Sequence, residues 1–325
     1  MPALGRLGAV IFSLSALTCV AKAADFNNFV LRGSQPAWGG QSLAIDQGIE
    51  FGSRVWFSTG SLSKTLYGGA GSGVGQMSRL TYSHLNSYSE EAFGRIGAYG
   101  WSYFRGDIGY GGLGTGSLQD EDFPPGVVPY SSTSSSQSHG SLSYGVLDYG
   151  VDLLRQQNYR LSGFVGGSWL RQTVSAYGCS QTANNSYICS PGAVAANELA
   201  ITQYAQWASL RLGVSGDVLL GNLQLEANAA WLPYSWFRGQ DTHWLRTDIG
   251  PIDENGHGRN GVELEATASY WVTPSFSIGA GVRYWRLTAD PQANFVDPTG
   301  VSLGQQPETF VTQRYGTFIQ AAYRF

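Results

Sequence analysis

Two short groups of residues in this chain combine side chains whose types and spacing suit acid–base chemistry. They are Asp120-Glu121-Asp122 and Asp241-Thr242-His243. Successive side chains of an extended backbone point to opposite sides, so the first and third residues of each group project together. A carboxylate beside an imidazole orients the ring and stabilises its protonated form. The pair formed by Asp241 and His243 can therefore take a proton from water.

Asp120 and Asp122 offer a second kind of chemistry, because two carboxylates held close together cannot both ionise easily. One of them keeps or shares a proton, so the pair can hold a water molecule and later protonate a leaving amine. If both groups meet at one place, they form a site that hydrolyses peptide bonds with activated water. Each group alone is also common as solvated surface charge. A calcium site is disfavoured, because Phe123-Pro124-Pro125 supplies no run of oxygen ligands.

The strands that must position these groups are predicted from an alternation of apolar and polar residues with a period of two. Residues 223–229, 262–270 and 276–284 show it most clearly. Ten strands follow from the pattern, at 50–66, 75–101, 104–117, 138–155, 159–175, 199–217, 222–237, 259–272, 276–290 and 309–325. Short turns alternate with long polar loops between them, as they do in outer-membrane barrels.

The loops of the predicted barrel fall into two kinds. Phe104-Arg105 is the first of four short turns, and the long loops are 67–74, 118–137, 176–198, 238–258 and 291–308. Both acidic groups fall in long loops on the same side, so extracellular loops are expected to carry the site. The Ser-rich residues 130–140 are predicted to be a mobile part of the second long loop.

The first residues resemble an export signal. Arg6 precedes an apolar run from Leu7 to Val20, and Ala21-Lys22-Ala23 follows as a small-x-small cleavage site. Residues 1–23 are therefore predicted to be a signal peptide and residues 24–325 an outer-membrane β-barrel. The final residue, Phe325, agrees with this prediction, because an aromatic residue commonly ends the closing strand of such barrels.

Composition favours the same fold, an all-β, ten-stranded antiparallel transmembrane β-barrel. Charged residues make up 13% of the chain, below the roughly 25% of soluble domains. The mean hydropathy of -0.13 argues against a bundle of membrane helices. Lys occurs only at Lys22 and Lys64, so the chain has no basic stripe for nucleic acid. The expected location is the outer membrane of a Gram-negative bacterium.

Two cysteines, Cys179 and Cys189, lie in one polar stretch of the chain. Export places them in an oxidising compartment, which favours a disulfide between them. The alternative is a zinc site, which is disfavoured because no histidine lies nearby.

The sequence resembles the omptin family of ten-stranded outer-membrane proteases from about Val55 to Phe325. The likeness is carried by Gly60-Ser61-Leu62-Ser63-Lys64-Thr65, Ser78-Arg79-Leu80, Gln157-Asn158-Tyr159-Arg160-Leu161, Tyr270-Trp271-Val272-Thr273-Pro274 and the closing strand. The two acidic groups fall where the family keeps its four catalytic residues. The resemblance thus implies a carboxylate pair, Asp120 and Asp122, and a water-activating dyad, Asp241 and His243.

The same resemblance implies an aspartic-type endopeptidase that cleaves polypeptides at the cell surface. It implies no cofactor and no metal, with lipopolysaccharide as an activating lipid. Omptins generally cut beside basic residues, using acidic groups next to the dyad and on the first strand. Those places hold Gly239 and Tyr67 here, and neither can pair with Arg or Lys. The preference for basic residues is therefore not predicted for this chain.

Two other functions stay open at the level of sequence. One is a catalytically inactive omptin-like barrel that acts as an adhesin, and the other is a small porin. Ten strands leave little room for an open channel once side chains fill the lumen, which disfavours the porin. The residues predicted to line that interior are Glu226, Glu263, Glu265 and Arg283.

Overall fold

The fold is seen in a computed structural model that describes residues 48–68, 75–123, 129–156, 158–185, 188–189 and 194–325. The predicted signal peptide, residues 1–23, lies outside these ranges. No helix in the described part of the chain is long and apolar enough to cross a membrane. Its strands are β1 (Ile49–Tyr67), β2 (Gln76–Gly97), β3 (Ser102–Asp122), β4 (Ser131–Arg155), β5 (Tyr159–Gln181), β6 (Leu199–Leu220), β7 (Leu223–Leu232), β8 (Ser235–His243), β9 (Ile252–Gly258), β10 (Gly261–Trp271), β11 (Phe276–Ala289), β12 (Gln292–Val296) and β13 (Ser302–Arg324).

These strands form one antiparallel sheet that closes on itself, because β1 pairs with β13. Strands β1 to β7 pair in sequence order, and a ring of twelve strands can be traced through the pairings. A closed sheet leaves no unpaired edge, so its backbone donors and acceptors are satisfied within the ring. The predicted all-β barrel is therefore confirmed.

The described strands number thirteen where the sequence pattern predicts ten. The predicted strand 222–237 is divided between β7 and β8, and the predicted loops 238–258 and 291–308 contain β9 and β12. Breaks lie between β7 and β8, between β9 and β10, and between β11 and β12. Pro233 and Pro291 stand at the first and third breaks, and proline cannot donate to the hydrogen-bond ladder. Asn260 stands at the second with a φ of 59°, which is incompatible with extended backbone.

The predicted connections 104–105, 118–137, 238–258 and 291–308 are wrong, since each contains strand residues. Phe104-Arg105 lies inside β3, and the chain turns just before Ser102 instead. Most of the predicted loop 118–137 is strand, since β3 continues to Asp122 and β4 begins at Ser131. The Ser-rich stretch is thus part of the sheet, because its short hydroxyl side chains bond to β5. The hydroxyl of Ser135, for example, donates to the carbonyl oxygen of Gly178 at 2.7 Å.

The two faces of the barrel differ in polarity. Along β1, Phe51 and Phe57 are exposed, whereas Arg54 and Trp56 between them are buried. Large exposed side chains on the outer face form an apolar band of Phe51, Phe57, Tyr88, Ile108, Tyr110, Leu147, Val165, Leu212, Val214, Leu264, Val282, Tyr315 and Ile319. An apolar exterior around a polar interior is the arrangement of barrels that sit in lipid.

The interior is filled in layers. Within the apolar band lies a lumen network of ion pairs made by Arg54, Glu91, Arg105, Asp148, Arg211, Glu226, Glu263, Glu265 and Arg283. The positions predicted to line the interior do so. The cavity among these ion pairs is only about 80 Å³. Beside them Trp56 packs against Trp285 and Tyr144, with ring centroids 4.7 and 5.6 Å away.

Candidate active site

The carboxylate pair, Asp120 and Asp122, lies on the last residues of β3, beyond the apolar band. Asp120 lies opposite Leu80 of β2 and Asp122 lies opposite Ser78. Strand alternation turns both carboxylates into the barrel mouth and turns Glu121 outwards, where Arg79 binds it with an N–O distance of 2.6 Å. The prediction that Asp120 and Asp122 project together is confirmed, but a strand end holds them in place of a loop.

The dyad stands on the last residues of β8, again on strand where a loop was predicted. Asp241 is 1% exposed and lies opposite Gln203 of β6. Nε2 of His243 lies 2.9 Å from Oδ2 of Asp241. When Nε2 carries the proton and donates to this carboxylate, Nδ1 is left as the basic nitrogen of the ring. The contact therefore prepares His243 to accept a proton.

A single cleft of about 970 Å³ brings the two groups together. Asp120, Asp122, Asp241 and His243 all line it. Strands β3 and β8 are far apart in sequence, and closure of the barrel sets them across its mouth. Two groups that the sequence could only suggest separately thus share one water-accessible space.

The charges of the two groups act on each other. Burial and then the charge of Asp122 raise the pKa of Asp120 to about 7, although His243 opposes this effect. Burial also raises the pKa of Asp122. One carboxyl of the pair is therefore ready to carry a proton near neutral pH. The opposite holds for Asp241, because His243 and Lys64 outweigh its burial and hold its pKa below the ordinary range.

His243 is shifted towards its charged form. Burial alone lowers the pKa of the imidazole, but the charge and hydrogen bond of Asp241 outweigh burial and raise it above 6.5. The ring consequently holds a proton more firmly than a free histidine does. That property suits a base that must keep the proton it has taken from water.

A buried cluster of charged and polar side chains lies beside the dyad, and the sequence pattern does not predict it. Lys64 of β1 binds Oδ2 of Asp241, and its Nζ lies 2.8 Å from Oε1 of Glu254. Nε2 of Gln203 donates to Oε2 of Glu254 at 2.8 Å. Glu308 lies close enough to raise the pKa of Lys64. We call Lys64, Gln203, Glu254 and Glu308 the lysine cluster.

One sequence signal does point to the lysine cluster. Lys64 occupies an inward position of an alternating strand, between Leu62 and Leu66, and a cation placed there needs a buried partner. That partner, Glu254, lies in a stretch whose sequence predicts a loop. The Lys64 pKa is raised, because the attraction of Asp241 and Glu254 outweighs the effect of burial.

Gly239 and Tyr67, the two positions at which the sequence departs from the omptin pattern, both lie in the described part of the structure. Gly239 lies opposite Glu254, and a Cβ added at Gly239 would lie 2.2 Å from Oε2 of that residue. The glutamate therefore fills the space that a side chain at 239 would need. Tyr67 ends β1 with 37% of its surface exposed. In the described structure it is not among the residues that line the cleft.

Cys179 and Cys189 are bonded to each other, and both line the cleft. Replacing both cysteines with serine is expected to lower the free energy of unfolding by about 2–3 kcal/mol, because the unfolded chain gains entropy. Chemical unfolding of the purified barrel measures this change. Dithiothreitol should destabilise the wild type by a similar amount and leave the double variant unaffected. Equal stability of wild type and variant would contradict the expectation.

Within the described ranges, no group of three or more His, Cys, Asp or Glu side chains has a geometry that could hold a metal ion.

Comparison with known proteins gives both a family and a fold. The family model of the omptin family matches residues 95–294. The crystal structure of the outer membrane protease OmpT from Escherichia coli is 15% identical, with a TM-score of 0.72 over 86% of this chain and 97% of that chain. No curated protein sequence matches.

Two further barrels were found with lower structural agreement. The translocator domain of the autotransporter NalP from Neisseria meningitidis is 12% identical, with a TM-score of 0.33 over 84% of this chain and 88% of that one. A Pseudomonas aeruginosa FadL homologue is 8% identical, with a TM-score of 0.28 over 86% and 90%. The family match covers more than half of the chain, and on that ground this protein belongs to the omptin family.

Proposed function

We propose that this protein is an outer-membrane endopeptidase of omptin type that cleaves polypeptides at the surface of a Gram-negative bacterium. The observation that carries the proposal is that Asp120, Asp122, Asp241 and His243 line one cleft. Family membership and the OmpT-like fold support the protease class. The aspartic-type mechanism rests on the geometry of these four residues.

In the proposed reaction His243 takes a proton from a water molecule, and the water oxygen bonds to the carbonyl carbon of the substrate. Asp241 stabilises the imidazolium that forms. The protonated carboxyl of the pair, assigned to Asp120, gives its proton to the amide nitrogen as the C–N bond breaks. The imidazolium then returns a proton to Asp120 through solvent. No covalent intermediate and no cofactor take part.

The proposed orientation follows from the faces of the barrel. The apolar band lies in the bilayer, and the cleft opens to the outside. The proposal treats β7 with β8, β9 with β10 and β11 with β12 each as one interrupted strand, which gives ten membrane crossings. Lipopolysaccharide is the proposed lipid partner, on the ground of location.

The proposal is tested by offering a mixed peptide library to the purified barrel in detergent, with and without lipopolysaccharide. Mass spectrometry detects new peptide termini. Cleavage supports the endopeptidase, and its absence under both conditions would leave the inactive adhesin barrel as the better explanation. The porin is tested in planar bilayers, where the filled lumen predicts no steady ion conductance.

The proposed roles predict a bell-shaped dependence of kcat/KM on pH. As pH rises through about 7, Asp120 loses the proton that it must donate, and activity falls. As pH falls through the raised pKa of His243, the ring becomes protonated and activity falls again. Asp122→Asn removes a charge that raises the Asp120 pKa, so the alkaline limb should move to lower pH. Asp248→Asn, the control, should leave that limb in place.

A further inference from the structure

One side of the cleft is built from apolar side chains. We call this surface the apolar wall; it consists of Leu66, Ile249, Ile252 and Phe295. Leu66 and Ile252 are buried against Ala293, while Ile249 and Phe295 are half-buried against them. The wall joins β1, β9, β12 and the connection before β9, so four separate segments hold it in shape.

The apolar wall begins directly beside the dyad. Ile252 is the strand partner of Asp241 in the pairing of β8 with β9. Because paired residues on neighbouring antiparallel strands lie about 5 Å apart, a peptide whose carbonyl carbon reaches His243 sets an adjacent side chain against this wall.

Carboxylates in the cleft are already engaged. Among the described residues, those that line it are Asp120, Asp122, Asp241 and Asp248. The first three belong to the proposed reaction site. Asp248 accepts two hydrogen bonds from Arg246, at 2.6 and 2.5 Å. Each of these four carboxylates therefore either takes part in the proposed reaction or is paired with Arg246.

The two acidic members of the lysine cluster, Glu254 and Glu308, are also inaccessible to a substrate side chain. Glu254 is fully buried and is held by Lys64 and Gln203. Glu308 is 2% exposed, and burial, reinforced by the charge of Glu254, raises its pKa well above the ordinary value. Neither lines the cleft. A basic side chain placed on the apolar wall would thus lose its water without gaining an ion pair.

We infer that the apolar wall is a subsite for a large uncharged apolar side chain, such as Leu, Ile, Phe or Met, next to the scissile bond. This inference rests on the proposed endopeptidase function and names the substrate class of the same site. Discrimination by an apolar pocket of this kind reaches about 10-fold to 200-fold per side chain.

The test uses peptides that differ at one central position, occupied by Leu, Phe, Arg or Glu. We expect kcat/KM for the Leu and Phe peptides to exceed that for the Arg peptide by about tenfold or more. Phe295→Asp and Ile249→Asp place a carboxylate on the wall and should reverse the order in favour of Arg. Leu303→Asp, at an exposed position of β13 that does not line the cleft, is the matched control and should keep the wild-type order.

Binding of the same peptides to the Asp241→Asn variant, followed by fluorescence anisotropy, provides a readout that does not depend on cleavage. Faster cleavage or tighter binding of the Arg peptide by the wild-type wall would overturn the subsite and leave the endopeptidase standing. If no peptide is cleaved, the proposed function fails, and the binding order alone decides the subsite. Two wall variants are used so that misfolding of one, detected by its heat-dependent gel mobility, does not remove the test.

Discussion

Asp241→Asn is expected to lower kcat/KM for peptide cleavage by about four orders of magnitude. The neutral amide cannot stabilise the imidazolium that forms when His243 takes a proton from water. The NH2 group of asparagine cannot accept a hydrogen bond from Nε2 of His243. When that group faces the ring, the 2.9 Å contact that orients His243 is lost. Peptide cleavage by the purified variant measures the loss.

A matched control is available on the neighbouring strand. Asp253 is an exposed carboxylate of β9 that accepts a hydrogen bond from Gln240 at 2.9 Å and does not line the cleft. Asp253→Asn should therefore retain wild-type activity. If Asp241→Asn kept more than a tenth of the activity, the dyad could not be the base, and the proposed mechanism would have to be abandoned.

Lys64→Met is the second change with a large expected effect, here on stability. The substitution leaves Asp241 and Glu254 buried without their shared cation. Breaking a buried ion pair from one side costs about 3–5 kcal/mol, since the remaining charge is uncompensated. Chemical unfolding of the purified barrel measures the loss of unfolding free energy. Activity should fall as well, because the pKa of Asp241 rises when the Lys64 charge is removed.

A double variant separates charge from packing. Adding Glu254→Gln to Lys64→Met removes one of the stranded carboxylates and should restore part of the lost stability. The comparison variant is Arg79→Met, which breaks the more exposed pair with Glu121 and should cost no more than about 1 kcal/mol. Equal losses for Lys64→Met and Arg79→Met would show that the lysine cluster does not stabilise the fold.

The barrel could be predicted from sequence because its signal is local. Side-chain alternation in runs such as 223–229 reports two faces of different polarity without any knowledge of tertiary contacts. Asp120 and Asp122 were paired for the same reason, since residues two apart on a strand share a face. Strand ends were harder to predict, because the Ser-rich start of β4 has the composition of a loop. Its hydroxyl groups are satisfied only by contacts with the neighbouring strand β5.

The inward position of Lys64 predicts a buried partner, but the other members of the lysine cluster could not be predicted because its contacts are not local. Lys64, Gln203, Glu254 and Glu308 come from four strands, and only the register of the closed sheet brings them together. The filling of the space at Gly239 by Glu254 has the same origin. The resemblance to omptins implies that an acidic group is missing at Gly239, whereas the structure places Glu254 in that space, bound to Lys64.

The length of the strands sets the height at which this protein can act. Tyr110 is the last exposed large apolar side chain of β3 before Asp120, and the intervening strand is roughly 33 Å long at 3.3 Å per residue. With the usual strand tilt, the reacting groups stand roughly 25 Å above Tyr110 along the barrel axis. Under the proposed function, a polypeptide anchored in the same membrane is cut only beyond the roughly eight extended residues that span this distance.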